Sequence, residues 1–210
     1  MRLFRTLALV IATMLLVVLT GCPPSGTDNN AIPVPSNFTT TATICTAYPT
    51  FTYQTPATIT SQSIPDWMTL TSNTLDGKPR GQDFGVFPIW VEGKYKGKTG
   101  KASSTITVDA PVITPSGPVD IMINLASGTI SVEVTPPCVY TLELKAMTSS
   151  TVQRFTVAKS KDTDIDGIAT IGVGIETDEA ATGTLEIKIT PNPQGGAQPV
   201  VVQVAMNAHH

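Results

Sequence analysis

In three separate stretches of this chain every second residue is apolar and the residues between are polar. Ile130, Val132 and Val134 alternate with Ser131 and Glu133; Leu142, Leu144 and Ala146 with Glu143 and Lys145; Leu185, Ile187 and Ile189 with Glu186 and Lys188. Successive side chains of a strand point to opposite faces, so this pattern specifies antiparallel strands with one face buried and the other in water. Nowhere do apolar residues recur at three-to-four spacing over several turns, which argues against amphipathic helices in the region after residue 22. Further β-rich runs near residues 119–124, 152–158, 168–175 and 200–206 bring the total to about seven strands, the number a small sandwich uses.

A second group of short β-rich runs lies upstream: Phe51-Thr52-Tyr53, Ala57 to Thr60, Phe87 to Val91 and Ser104 to Val108. Residues 111–118 carry three prolines and a glycine between the two groups, which places a linker there. The expected organisation is a segment to residue 110, this linker, and a second unit over residues 119–210.

Within the upstream group stand Ile64-Pro65-Asp66-Trp67-Met68-Thr69-Leu70, then Leu75-Asp76-Gly77-Lys78-Pro79, then Gly85-Val86-Phe87-Pro88-Ile89-Trp90-Val91. This order resembles bacterial Ig/cadherin-like β-sandwich families, whose pattern is Pro-x-Trp-Leu-x-Leu, Leu-x-Gly-x-Pro and Gly-x-Tyr-x-Ile-x-Val. Met68 and Phe87 are conservative departures from it. Trp67 supplies a large apolar anchor, and Gly77 is expected to adopt a turn conformation closed to other residues. Downstream, Asp164 to Ile171 followed by Ala181 to Ile187 is similar to the C-terminal part of the Ig-like domains of invasin-type adhesins. The fold class expected is therefore all-β, two tandem Ig-like antiparallel sandwiches over residues 37–110 and 119–210.

The N-terminus carries an address. Arg2 and Arg5 precede the apolar run Leu7 to Leu19, too short for the roughly 20 residues of a bilayer span and suited to a signal peptide. The run ends in Leu19-Thr20-Gly21-Cys22, which resembles the lipobox of bacterial lipoproteins. That resemblance implies cleavage after residue 21, palmitate and related acyl chains on Cys22, and a place in the cell envelope. Pro23 in place of Asp resembles the pattern that permits export to the outer membrane. Residues 22–36, with the lipidated cysteine and four prolines, form an extended spacer. Loss of residues 1–21 removes two of the 13 basic residues and leaves 11 against 16 acidic, a mildly acidic chain with no field to draw nucleic acid.

With Cys22 assigned to lipid, Cys45 and Cys138 remain, an even number for an oxidising compartment. A disulfide between them locks the two units together; separately, each is a small buried hydrophobe. Spacing alone leaves both open.

Three further groups bear on chemistry. Asp162, Asp164 and Asp166, followed by Gly167, have the spacing of the first half of a calcium loop, but the twelfth position holds Val173 where a bidentate Glu belongs. A hairpin turn with solvated carboxylates is the competing and preferred reading. Lys94 to Lys101 packs four lysines into a Gly-containing tip, either a solubilising turn or a surface for an acidic polysaccharide or lipid head group. Trp90, out of phase with Phe87, Ile89 and Val91, is expected on the opposite strand face near Tyr95, where an indole can stack on a sugar unless another part of the chain covers it.

No Gly-x-Ser-x-Gly elbow or phosphate loop is present, and the histidines, His209 and His210, are the final residues. A non-enzymatic role without cofactor is expected: a membrane-anchored envelope lipoprotein acting as a structural or adhesive module toward a protein or polysaccharide. The alternatives are a carbohydrate-binding module using Trp90 and Tyr95, and a subunit of a larger assembly pairing through an exposed edge at Val200 to Met206.

Overall fold

The computed structural model describes residues 40–53, 58–95, 97–148 and 154–210. Cys22, the signal segment and the proline-rich spacer lie outside the described residues. The described chain is almost entirely β, with two short 3-10 turns at Ile123–Leu125 and Pro193–Gly195.

The first seven strands are β1 (Thr41–Ala42), β2 (Tyr48–Thr52), β3 (Thr58–Ser63), β4 (Met68–Thr71), β5 (Thr74–Gly77), β6 (Gly85–Tyr95) and β7 (Lys98–Val108). They form two sheets, β1-β7-β6-β3 and β2-β5-β4. In Ig terms this is A′-G-F-C facing B-E-D, with β1 parallel to β7. Alternation along β6 and β7 sends Phe87, Ile89, Val91, Ala102, Ile106 and Val108 inward. Trp67 joins the two sheets: its ring meets Tyr48 of β2 and Phe87 of β6 edge-on, at centroid distances of 6.1 and 5.8 Å. The glycine at position 77 has a different reason from the expected turn conformation. It lies in β5, where a Cβ would come within 2.6 Å of the Trp67 carbonyl oxygen, so close strand approach excludes a side chain.

The remaining strands are β8 (Val112–Pro115), β9 (Val119–Met122), β10 (Ser127–Thr135), β11 (Thr141–Thr148), β12 (Phe155–Val157), β13 (Ser160–Asp162), β14 (Ile168–Ile175), β15 (Ala181–Ile189) and β16 (Val200–His209). The order β12-β14-β10-β8 faces β13-β11-β15-β16-β9. The first is D-E-B-A; the second is C-F-G-A′, with β13 added beyond C as the chain returns from D. The three alternating stretches are the inward rows of β10, β11 and β15, and Ile130, Val132, Val134, Leu142, Leu185, Ile187 and Ile189 are all buried. Phe155 reaches across between the sheets: a Cβ at Gly183 of β15 would lie 3.0 Å from its ring.

One expectation needs correction. Residues 111–118, read as linker, contain β8, which pairs with β10 from Val132↔Pro115 to Thr135↔Val112. The prolines masked a strand, tolerated because β8 is the outermost of its sheet. The segment Val200 to Met206 pairs with β15 along its length, while on its other side β9 reaches only Met206, its ladder running from there to His209. The latter ladder also places His209 opposite Met122.

Candidate functional site

The junction between the two sandwiches is built from loops. Cys45, in the β1–β2 connection, is bonded to Cys138, in the β10–β11 connection, with the Cα atoms 5.8 Å apart. Each cysteine is held by another loop of its own sandwich. Cys45 adopts a left-handed φ of 58° and its N–H donates to Pro79 O at 2.7 Å. On the other side the Thr163 hydroxyl donates to Cys138 O at 2.7 Å and accepts from Tyr140 N–H at 2.9 Å. Tyr140, fully buried, donates its own hydroxyl to Pro136 O at 2.6 Å, and burial pushes its pKa up to about 12.

Beside the disulfide lies a polar network. Arg80 donates from Nε to Asp83 Oδ2 at 2.8 Å and from Nη2 to Asp66 Oδ2 at 2.7 Å. Asn192, in the β15–β16 loop, reaches across and donates to Asp83 Oδ1 at 2.9 Å and Asp66 Oδ1 at 3.1 Å. Its backbone N–H donates to Gln82 O at 2.7 Å, and Asp66 N–H donates to Gln194 Oε1 at 3.1 Å. Burial by itself raises the Asp83 pKa. The Arg80 side chain and N–H, the Asn192 amide and the Arg80 charge together outweigh it, and the carboxyl is held below its ordinary value.

Glycines let the backbones meet. A Cβ at Gly81 would fall 2.2 Å from Val139 O, and one at Gly195 would fall 2.5 Å from Phe84 O and 2.8 Å from the Phe87 ring. Gly85 and Gly196 form a bridge across the junction. Covalent bond, ion network and side-chain-free contacts fix one relative placement of the sandwiches.

Trp90 lies on the outward face of β6, as its phase required, and is partly buried. Lys101 of the neighbouring strand places Nζ 4.2 Å from the ring centroid, a surface cation–π contact of about 0.5–1 kcal/mol. In register, Trp90 stands between Ser63 of β3 and Ser103 of β7, and Glu92 between Ser61 and Lys101. The side chain of Tyr95 lies outside what the structure describes, although its backbone pairs with Lys98 in the β6–β7 hairpin.

The three aspartates do not converge. Asp162 ends β13, while Asp164 turns its Oδ1 onto the N–H groups of Asp166 and Ile168 at 3.0 and 2.8 Å, closing its own turn. Among the described residues no group of three His, Cys, Asp or Glu is placed to hold a metal ion.

Sequence pattern did not single out Arg80, Asp83 or Asn192. Arg80 and Asp83 carry a short-range cue, an opposite-charge pair three apart beside a glycine. Asn192 carries none, because its partner is 109 residues away.

Comparison with known proteins places no family on the chain: no family model matches it and no curated protein sequence does. Solved structures with partial likeness include the E. coli chaperone DraB, 9% identical, covering 47% of this chain and 55% of its own, with a TM-score of 0.40. The D00-D0 domain of Intimin is 11% identical over 80% of this chain and 94% of its own, at 0.31. The endo-fucoidan hydrolase MfFcnA4 is 16% identical over 80% of this chain and 27% of its own, at 0.32. The chain thus spans about half the length of DraB and about a quarter of the hydrolase. The Ig-like assignment rests on the strand orders given above.

Proposed function

We propose that this chain is a lipid-anchored envelope lipoprotein whose two sandwiches act as one rigid, non-enzymatic interaction module, structural or adhesive in role. The observation that carries the reading is the Cys45–Cys138 disulfide joining the two sandwiches. Such a bond persists in oxidising compartments outside the cytoplasm, where the Leu19 to Cys22 motif directs a chain. Acyl chains on Cys22 hold the membrane, the proline-rich spacer over residues 23–36 sets a distance from it, and the fixed junction presents both sandwiches in one orientation. Two or more acyl chains are needed for a stable anchor, since one binds only marginally.

The test is membrane fractionation of the full chain against Cys22→Ser, with metabolic labelling by palmitate. The wild type is expected to be labelled and to sediment with membranes, and the variant to be unlabelled and released. A Cys22→Ser protein that stays in the membrane fraction overturns the reading.

A further inference from the structure

The outward face of the β3-β6-β7 sheet combines an aromatic ring with small hydroxyl and ammonium side chains. Its central row is Ser63, Trp90 and Ser103, and the next is Ser61, Glu92 and Lys101. Lys94 follows on β6, exposed, and Thr105 flanks Pro88 on the other side. One large aromatic ring therefore sits among small hydroxyl side chains, with ammonium groups along one end. The hairpin that forms this end has four lysines and one glutamate between residues 92 and 101, in a chain that is otherwise acidic.

We infer that this face binds an acidic saccharide, the Trp90 indole stacking on a sugar ring and Lys101 and Lys94 pairing with its carboxylate or sulfate groups. Three features argue together for that occupant. A flat ring flanked by Ser63 and Ser103 leaves room for the apolar face of a sugar and offers its hydroxyls partners at both edges. A strand Trp beside two small residues is not needed for the sandwich core, whose inward row on β6 is already filled by Phe87, Ile89 and Val91. And Lys101, resting on the indole at 4.2 Å, is held where an anionic substituent would meet it. As the saccharide arrives, its C–H face replaces the ammonium on the ring while the ammonium turns to the anionic group, so the cation–π contact is exchanged for an ion pair.

The cellular setting of this site rests on the reading of the chain as a displayed module, but binding is measured on purified protein and stands apart from the membrane test. The full chain, in detergent, is titrated calorimetrically with a heparin oligosaccharide, an oligogalacturonate, neutral maltoheptaose and phosphatidylglycerol vesicles. Saturable binding of at least one acidic oligosaccharide is expected, with none of maltoheptaose. Trp90→Ala and Lys101→Gln are each expected to weaken it about tenfold or more. The two acidic probes tell sulfate from carboxylate recognition. Lys101→Gln leaves the core untouched and decides the matter if Trp90→Ala fails to fold. The inference is overturned by no binding of either acid, by binding that a folded Trp90→Ala retains in full, or by a preference for the vesicles over both oligosaccharides.

Discussion

Asn192 and Asp83 meet at 2.9 Å across the junction, although 109 residues separate them in the chain. Asp83 is 1% exposed, and every group that compensates its burial comes from Arg80 or Asn192. Removing either partner therefore acts on the join between sandwiches as well as on a loop.

Asp83→Ala and Asn192→Ala are each expected to lower stability by about 2 kcal/mol, the range for hydrogen bonds to a charged group. Urea denaturation of each single variant and of the pair checks this. The two losses are expected to be less than additive, since both mutations remove the same contact.

Acid tests the same carboxylate. Its pKa in the folded chain lies below the ordinary 3.8, so its contribution is present above that value and is lost as pH falls from it through the depressed folded value. Wild-type stability should decline over this interval more steeply than that of Asp83→Asn, measured by denaturation at a series of pH values.

Alkali tests Tyr140 and Tyr53. Both are raised to about 12, Tyr140 by burial and Tyr53 by burial and then by its neighbour Tyr48. A raised folded value means that their contribution is whole below about 10 and lost as pH rises through 12. Ultraviolet titration should show two late-ionising tyrosines whose ionisation coincides with unfolding. Tyr140→Phe, which leaves Pro136 O without its donor, should remove one of them and cost about 1 kcal/mol.

The disulfide closes a loop with a sequence separation of 93. Replacing Cys45 and Cys138 together by Ser should destabilise the chain by about 4.6 kcal/mol, the loop-entropy value for that length. The double variant should also lose the faster mobility of the unreduced protein on a denaturing gel.

Gly81→Ala places a methyl 2.2 Å from Val139 O, next to the disulfide. About 1–3 kcal/mol of destabilisation is expected, as for other overpacked sites, together with a changed angle between the sandwiches. Small-angle scattering reads the second effect, which a mutation inside one sandwich would not produce.

The strands of the second sandwich were readable from alternation because β10, β11 and β15 each bury one face and wet the other. The resemblance that singled out Trp67, Gly77 and Phe87 found positions where the first sandwich packs most closely, although the reason for Gly77 is contact and not turn geometry. β8 was hidden because an outermost strand tolerates the prolines that mark linkers elsewhere. The junction was readable only through its cysteines. Asp83, Asn192 and Gly195 have meaning through partners on remote loops, and local pattern carries no trace of such pairing. Trp90 could be placed by phase, whereas its cover by Lys101 depends on the hairpin register that sets Glu92 opposite Lys101.

The covalent bond between Cys45 and Cys138 also decides how mechanical load would pass through the molecule. Tension applied at residue 40 and resisted in the second sandwich enters at Cys45 and leaves at Cys138, because the bond is the shortest covalent path between them. Residues 46–137, which hold β2 to β10, lie in a closed loop off that path. A pull on the anchor resisted in the second sandwich would then pass through β1 and leave β2 to β7, with the Trp90 face, outside the loaded covalent path.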